Sequence, residues 1–151
     1  MIFYFETGAI SEFEIIQWAM NQVIDGNESD PIIQLASLTR NEKDEVRFLL
    51  EQAIKDLGFD YPSKNALGYY RAKLVSEEII KGKLLPVKGC SIIGRICSDL
   101  EWPEILSDFG SINHELTGHE NLGITEDGLT KDIISCAYKL IDNVNAHLNL
   151  E

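Results

Sequence analysis

Val46-Arg-Phe-Leu-Leu-Glu-Gln-Ala-Ile-Lys-Asp-Leu57, closed by Gly58, is the stretch that decides the fold class. Val46, Leu49, Leu50, Ala53, Ile54 and Leu57 recur at i, i+3 and i+4, which sets them on one stripe of an α-helix. Gly58 stands where helices commonly end in a left-handed residue. A strand, whose side chains alternate between faces, could not bury this set together.

Upstream, Ser11 and Glu14 form a capping-box pair, with Ile10 and Ile15 at the positions of a hydrophobic staple. Phe13, Ile16, Met20 and Val23 then recur at helical spacing, Trp18 and Ala19 widen that stripe, and Asp25-Gly26-Asn27 ends it. Asp30-Pro31 opens a short helix through Ile32, Ile33 and Leu35 that closes near Thr39. Downstream, Asp60-Tyr-Pro-Ser63 is a turn. A helix over residues 64–81 carries Leu67, Tyr70, Leu74 and Ile80 and stops at Gly82. Pro86 suits the first turn of the next, whose face is Ile92, Ile93, Ile96, Cys97 and Leu100. Pro103 begins a short helix through Ile105, Leu106 and Phe109. Residues 110–123 are polar and read as loop, and a last helix opens near Thr125 with Ile133, Ala137, Leu140, Ile141, Val144 and Leu148 on its face. Only residues 2–5 read as extended. With no repeat or linker, the pattern predicts an all-α chain. It is expected to form one domain over residues 1–151, a single irregular bundle of about six to seven helices.

A chain of 151 residues, 44% of them hydrophobic, can bury a proper core. Its formal net charge is -12, from 25 acids and 13 bases. Nucleic acid and anionic membranes are bound chiefly through Lys and Arg, so neither is an expected partner, whereas a basic protein surface is. The charge is uneven: residues 1–60 carry 12 acids and 4 bases, residues 61–95 carry 2 and 7, and residues 96–151 carry 11 and 2. The basic middle reads as side chains bridging acidic neighbours on solvated faces. Met1-Ile-Phe-Tyr-Phe5 has no basic residue before it and stops at Glu6, unlike a signal peptide, so a cytoplasmic protein is expected. Cys90, Cys97 and Cys136 are an odd set without a C-x-x-C pair and read as reduced, packed thiols. Cys90 and Cys97 stand about 10 Å apart along one helix, too far for a disulfide.

His114-Glu115-Leu-Thr-Gly-His119 approaches a zincin motif but has one residue too many. Histidines at i and i+5 diverge by about 140° around a helix, so no metal site and no cofactor are expected. A metal-dependent or acid–base enzyme using His114, Glu115 and His119 is the alternative reading, and no phosphate-binding or nucleophile motif adds to it. What remains is surface. Glu101, Trp102, Glu104 and Asp108, beside Asp99, crowd one segment, and Asp25, Glu28 and Asp30 crowd another. Carboxylates around an aromatic suit a protein interface, the ring as anchor and the acids steering a basic partner. Trp102 before Pro103 can equally plug the core.

Several stretches in order resemble small all-helical immunity proteins of polymorphic-toxin and contact-dependent growth-inhibition systems. These are Gly8-Ala-Ile-Ser11, Glu14-Ile-Ile-Gln-Trp18-Ala19, Ile80-Lys-Gly82, Leu85-Pro86-Val-Lys-Gly89, Ile96, and Glu101-Trp102-Pro103 with Leu106 and Phe109. The resemblance covers residues 8–109 and rests mainly on caps, turns and core positions. It implies a non-enzymatic cytoplasmic protein that binds and blocks a cognate toxin, and a basic nuclease would fit the acidity. An acidic adaptor subunit is the other binding role. From the helical period we predict a far-UV circular dichroism spectrum dominated by paired minima near ~208 and ~222 nm; a strand-type spectrum would contradict the fold class.

Overall fold

The computed structural model describes residues 1–39, 43–118 and 126–149. Among them the chain is all-helical: α1 (Ile2–Glu6), α2 (Glu12–Ile24), α3 (Asp30–Ser37), α4 (Lys43–Asp56), α5 (Lys64–Ile80), α6 (Pro86–Asp99), a 3-10 turn (Glu104–Leu106), α7 (Ser107–Gly118) and α8 (Glu126–Leu148). None of these helices is long and apolar enough to cross a membrane. Contacts group the chain into two compact units, Met1–Ser63 and Lys64–Glu151, and the division falls at the 60–63 turn.

In the first unit α2 packs on α3, and both pack on α4. The predicted stripe of α4 is the floor of this core: Val46, Leu49, Leu50, Ala53 and Ile54 are buried, and Leu57 packs at its edge. Ser11 caps α2 as expected, its Oγ accepting from the Glu14 N–H at 3.3 Å while its own N–H donates to Glu14 Oε2 at 2.8 Å. The buried face of α2 is only in part the one the spacing predicts, since Ile16 and Ala19 are buried as expected and the rest of the stripe is not. Ile15, Ile16 and Ala19 point inward, whereas Phe13, Met20 and Val23 are exposed. Because α2 is apolar over most of its circumference, its sequence leaves open which stripe the core takes.

Residues 2–5 are helical rather than extended. The cause is tertiary: Phe5 enters the core at 1% exposure, and Glu6 is clamped by α4 and by Tyr61. Arg47 donates from Nε and a terminal nitrogen to the two Glu6 oxygens, each at 2.8 Å, and the Tyr61 hydroxyl donates to the same carboxylate. A fork-to-fork ion pair of this kind fixes orientation as well as proximity.

In the second unit α5 packs on α8 and α6, and α6 packs on α7. Tyr69, Ala72 and Ile79 of α5, Cys90, Ile93 and Cys97 of α6, Phe109 of α7, and Ile133, Ala137, Leu140 and Val144 of α8 form its core. Here too the α5 face is turned in part from the predicted one: Tyr70 is buried as expected, but Tyr69, Ala72, Ser76 and Ile79 are buried with it, whereas Leu67, Leu74 and Ile80 are only partly covered. Glycines explain the turn. A Cβ at Gly68 would lie 2.5 Å from Leu100 Cδ1, and one at Gly89 would lie 2.4 Å from Ile79 Cδ1, so α5 and α6 approach where side chains are missing. The expected loop over 110–123 is corrected as far as residue 118, since α7 runs on to Gly118. Ile112 and Leu116, four apart, pack against the core there, a short helical period hidden among polar residues. Residues 119–123 of that expected loop lie outside the described ones. The basic stretch pairs as expected, with Lys73 and Lys81 reaching Glu77 and Lys83 reaching Glu78. Cys90 and Cys97 are buried free thiols, and burial, with a smaller push from Cys136, lifts Cys90 to about 12.

The Glu6 clamp gives a pH test. Burial alone would raise its carboxyl, but hydrogen bonds from Arg47 and Tyr61 and the charges of Arg47 and Lys43 hold it below the ordinary carboxylate value. A folded pKa below the unfolded one contributes stability that is present above the unfolded value and lost as pH falls through the folded one. Glu6→Gln is therefore expected to cost about 1–2 kcal/mol near pH ~7, screened because Arg47 is partly exposed. The gap to wild type should narrow as pH falls below the ordinary carboxylate range and through the folded value, read from urea midpoints along an acid series.

Candidate protein-binding site

Among the described residues, five helices end in the same hydrogen-bonded turn. After α1, α2, α4 and α5, the first residue past the cap donates to a carbonyl three back, and the next residue donates to one five back. The pairs are Gly8 to Phe5 and Ala9 to Tyr4, Gly26 to Val23 and Asn27 to Gln22, Gly58 to Lys55 and Phe59 to Ile54, and Gly82 to Ile79 and Lys83 to Glu78. This is the Schellman ending, which needs a left-handed residue and so favours glycine. Helix α6 closes in the same way, Glu101 N–H to the Ser98 carbonyl and Trp102 N–H to the Cys97 carbonyl. Here, however, the left-handed residue is Glu101 at φ 60°, and Trp102 follows it at φ 58°. A side chain in this region costs roughly 1–2 kcal/mol relative to the right-handed form. Four ends use the unstrained solution, and one keeps a carboxylate and an indole instead.

The consequence is a corner that presents Trp102. Its six-membered ring lies against α7, where a Cβ at Gly110 would stand 2.6 Å from Trp102 Cζ3 and 2.9 Å from Cys97 Sγ. The indole is nevertheless 51% exposed. It rests on the fold without being enclosed by it, so the corner is not a simple core plug.

Carboxylates surround this ring in sequence. Asp99 ends α6, where the helix dipole already places partial negative charge, so an acid there works against helix stability. Lys64 offsets part of this by donating from Nζ to the Asp99 carbonyl at 2.9 Å. Past Pro103 the 3-10 turn delivers Glu104, and the Ser107 hydroxyl donates back to the Glu104 carbonyl at 2.8 Å. Asp108 sits in the first turn of α7, where the dipole favours an anion. Glu104 and Asp108 are both exposed and, with Ile105 and Ser107, form one wall of an open groove of about 740 Å³. Asn143, Ala146 and His147 of α8 and Tyr69 of α5 complete the lining. Tyr69 meets His147 edge-on, with ring centroids 5.3 Å apart. The Cys136 thiol is raised by burial first and by the Asp108 charge second.

The structure thus brings Glu104 and Asp108 together along one groove, and sets Glu101 and Trp102 at the α6 ending just before them in the chain, with the indole against Gly110. Asp25, Glu28 and Asp30 lie in the first unit, all exposed, in the α2–α3 connection. Asp25 caps the C-terminus of α2 and Asp30 opens α3, so the dipole accounts for Asp30 and not for Asp25. Of the enzyme alternative, His114 and Glu115 are exposed neighbours on α7, about 100° apart around the helix. His119 lies outside the described residues. Among the described residues no three His, Cys, Asp or Glu side chains stand together as metal ligands would. Sequence reasoning missed Tyr69, Asn143 and His147. Asn143 and His147 are four apart beside the apolar stripe of α8, a spacing no different from any solvated helix face.

Comparison with protein-family models, with curated proteins and with solved structures finds no match to this chain. The strained corner itself is testable. Glu101→Gly should stabilise the isolated protein by about 0.5–1 kcal/mol in urea unfolding, because glycine adopts this torsion freely. A loss of stability would mean that the Glu101 side chain holds the turn together.

Proposed function

We propose that this chain is a binding protein that neutralises a basic protein partner, a toxin domain with a cationic, phosphate-binding cleft, by covering that cleft with the Glu101–Asp108 corner. The observation that carries the reading is the α6 ending. There Glu101 occupies the left-handed position that glycine fills at the four comparable helix ends, and a half-exposed tryptophan follows it at a second positive φ. Packing makes this turn tight, but it does not ask for a carboxylate where glycine would be unstrained, and strain kept at an exposed acidic and aromatic corner is what a recognition surface costs. The net charge of -12 would steer such a partner from a distance, and Trp102 would supply the desolvated anchor. The resemblance to immunity proteins supports the same role, acting in the cytoplasm against a cognate toxin. The chain works in this reading by occupancy and performs no chemistry of its own.

The partner to try first is the product of the adjacent reading frame, by pull-down and by rescue of growth on co-expression. Association should be fast at low salt and slow as ionic strength rises, since rim charges act mainly on the on-rate. Reversing Glu101, Glu104 and Asp108 to Lys should lower that rate by roughly tenfold or more. Reversing Asp25, Glu28 and Asp30 reports on the second acidic segment. If neither triple variant changes binding or protection, the acidic-cover mechanism is wrong, and if the neighbouring product is not bound, so is the assignment.

A further inference from the structure

Helix α2 buries less of its apolar surface than it carries. Inward go Ile15, Ile16 and Ala19. Left outside are Phe13 at 58% exposure, Met20 at 37%, Val23 at 38% and Ile24 at 80%. Phe13, Met20 and Ile24 fall at i, i+7 and i+11, within about 40° of one another around the helix, and Gln17 fills the same stripe at i+4. The stripe runs about 16 Å, three turns of helix, along one side of α2. A surface helix normally keeps one apolar face for its core and a polar face for water. This one has two apolar faces.

The charge around the stripe selects its occupant. Residues 1–39 contain six acids (Glu6, Glu12, Glu14, Asp25, Glu28 and Asp30) and not one Lys or Arg. Glu12 and Glu14 lie in the first turn of α2, Asp25 caps its last, and Glu28 and Asp30 follow. A second copy of the chain would bring the same acids against themselves. An anionic membrane would meet them with the same sign. The surface that complements an apolar stripe with acidic ends is an amphipathic helix whose apolar face is flanked by Lys and Arg. We infer that the exposed face of α2, formed by Phe13, Met20 and Ile24, is a docking face for a basic amphipathic helix of another protein. This inference does not rest on the α6 corner: it concerns other residues and survives or fails separately.

The test uses the whole chain and two synthetic peptides of about 18 residues, long enough to cover the stripe. Both carry Leu at i, i+3, i+4 and i+7; the remaining face is Lys in one and Glu in the other. Fluorescence anisotropy should show the Lys peptide binding and the Glu peptide not, with affinity falling as salt rises. Hydrogen exchange should slow over residues 12–24 when the Lys peptide is added. Phe13→Ser with Ile24→Ser should weaken binding by roughly tenfold or more, with the circular dichroism spectrum unchanged because both side chains are already exposed. Phe48→Ser with Phe59→Ser, which removes two other exposed aromatics of the same unit, should leave binding as it was. Equal binding by the Phe13/Ile24 variant, or equal loss in the Phe48/Phe59 variant, would reduce the effect to general attraction between a basic peptide and an acidic protein and overturn the inference. So would a dimer in light scattering that the Phe13/Ile24 substitutions dissolve, since the occupant would then be a second copy.

Discussion

The second unit depends on how closely α6 and α7 approach. A single extra carbon at Gly94 would stand 2.5 Å from Asn113 Cγ, and one at Gly110 would press into Trp102 and Cys97. Interiors packed at crystal density cannot absorb such an addition without shifting a helix. Close approach leaves the chain few residues in which to reverse direction after α6. The turn at residues 100–103 is therefore tight, and its left-handed torsions fall on Glu101 and Trp102. The same closeness lets the indole lean on Gly110 while most of its outer face stays in water. Ser91 adds a polar tie across the contact, its hydroxyl donating to Asn113 Oδ1 at 3.2 Å.

Electrostatics in this unit divides along the sequence. Three of the seven bases of residues 61–95 are held on α5 and the turn after it, where Glu77 and Glu78 pair with Lys73, Lys81 and Lys83. Residues 96–151 have only Lys131 and Lys139 against eleven acids. The corner at Glu101 thus sits at the start of a segment with little positive charge, beside the negative end of the α6 dipole. Helix stability alone argues against acids at that end. Their presence there fits a long-range field that attracts a partner of opposite sign.

The sequence was most legible where one stripe was apolar and the rest was not. α4 and α8 carry a single face each, and the predicted residues are the buried ones, except that Leu57, Ile141 and Leu148 are only partly covered and α8 also buries Leu129. α2 and α5 were located correctly and their faces only in part, Ile16, Ala19 and Tyr70 being buried as read: α2 is apolar on two sides, and the α5 contact runs through glycine, which a hydrophobicity pattern does not register. α1 was missed because five residues have no period to read, and their helix is held by Phe5 and Glu6 meeting α4. The continuation of α7 was missed because His114, Glu115 and Gly118 mask the pair Ile112 and Leu116. At the candidate site, the acids and Trp102 were visible as composition. The torsions that single out Glu101 were not, because nothing in a Leu-Glu-Trp-Pro string announces a left-handed turn. The groove partners Tyr69, Asn143 and His147 come together only through the packing of α5 and α8 beside the 3-10 turn.

Backbone torsion outlasts side-chain identity as proteins diverge, and this gives the α6 ending a use in tracing ancestry. A distant relative would be recognisable by a helix that closes with the same pair of hydrogen bonds, carries two consecutive non-glycine residues at positive φ, and runs at once into proline. In such a lineage the fold dictates the torsion at position 101 and leaves the choice of side chain open. Under the proposed function, drift there would alter which partner is recognised with little cost to the scaffold, so that position is where diverging pairs of proteins would be expected to part company first.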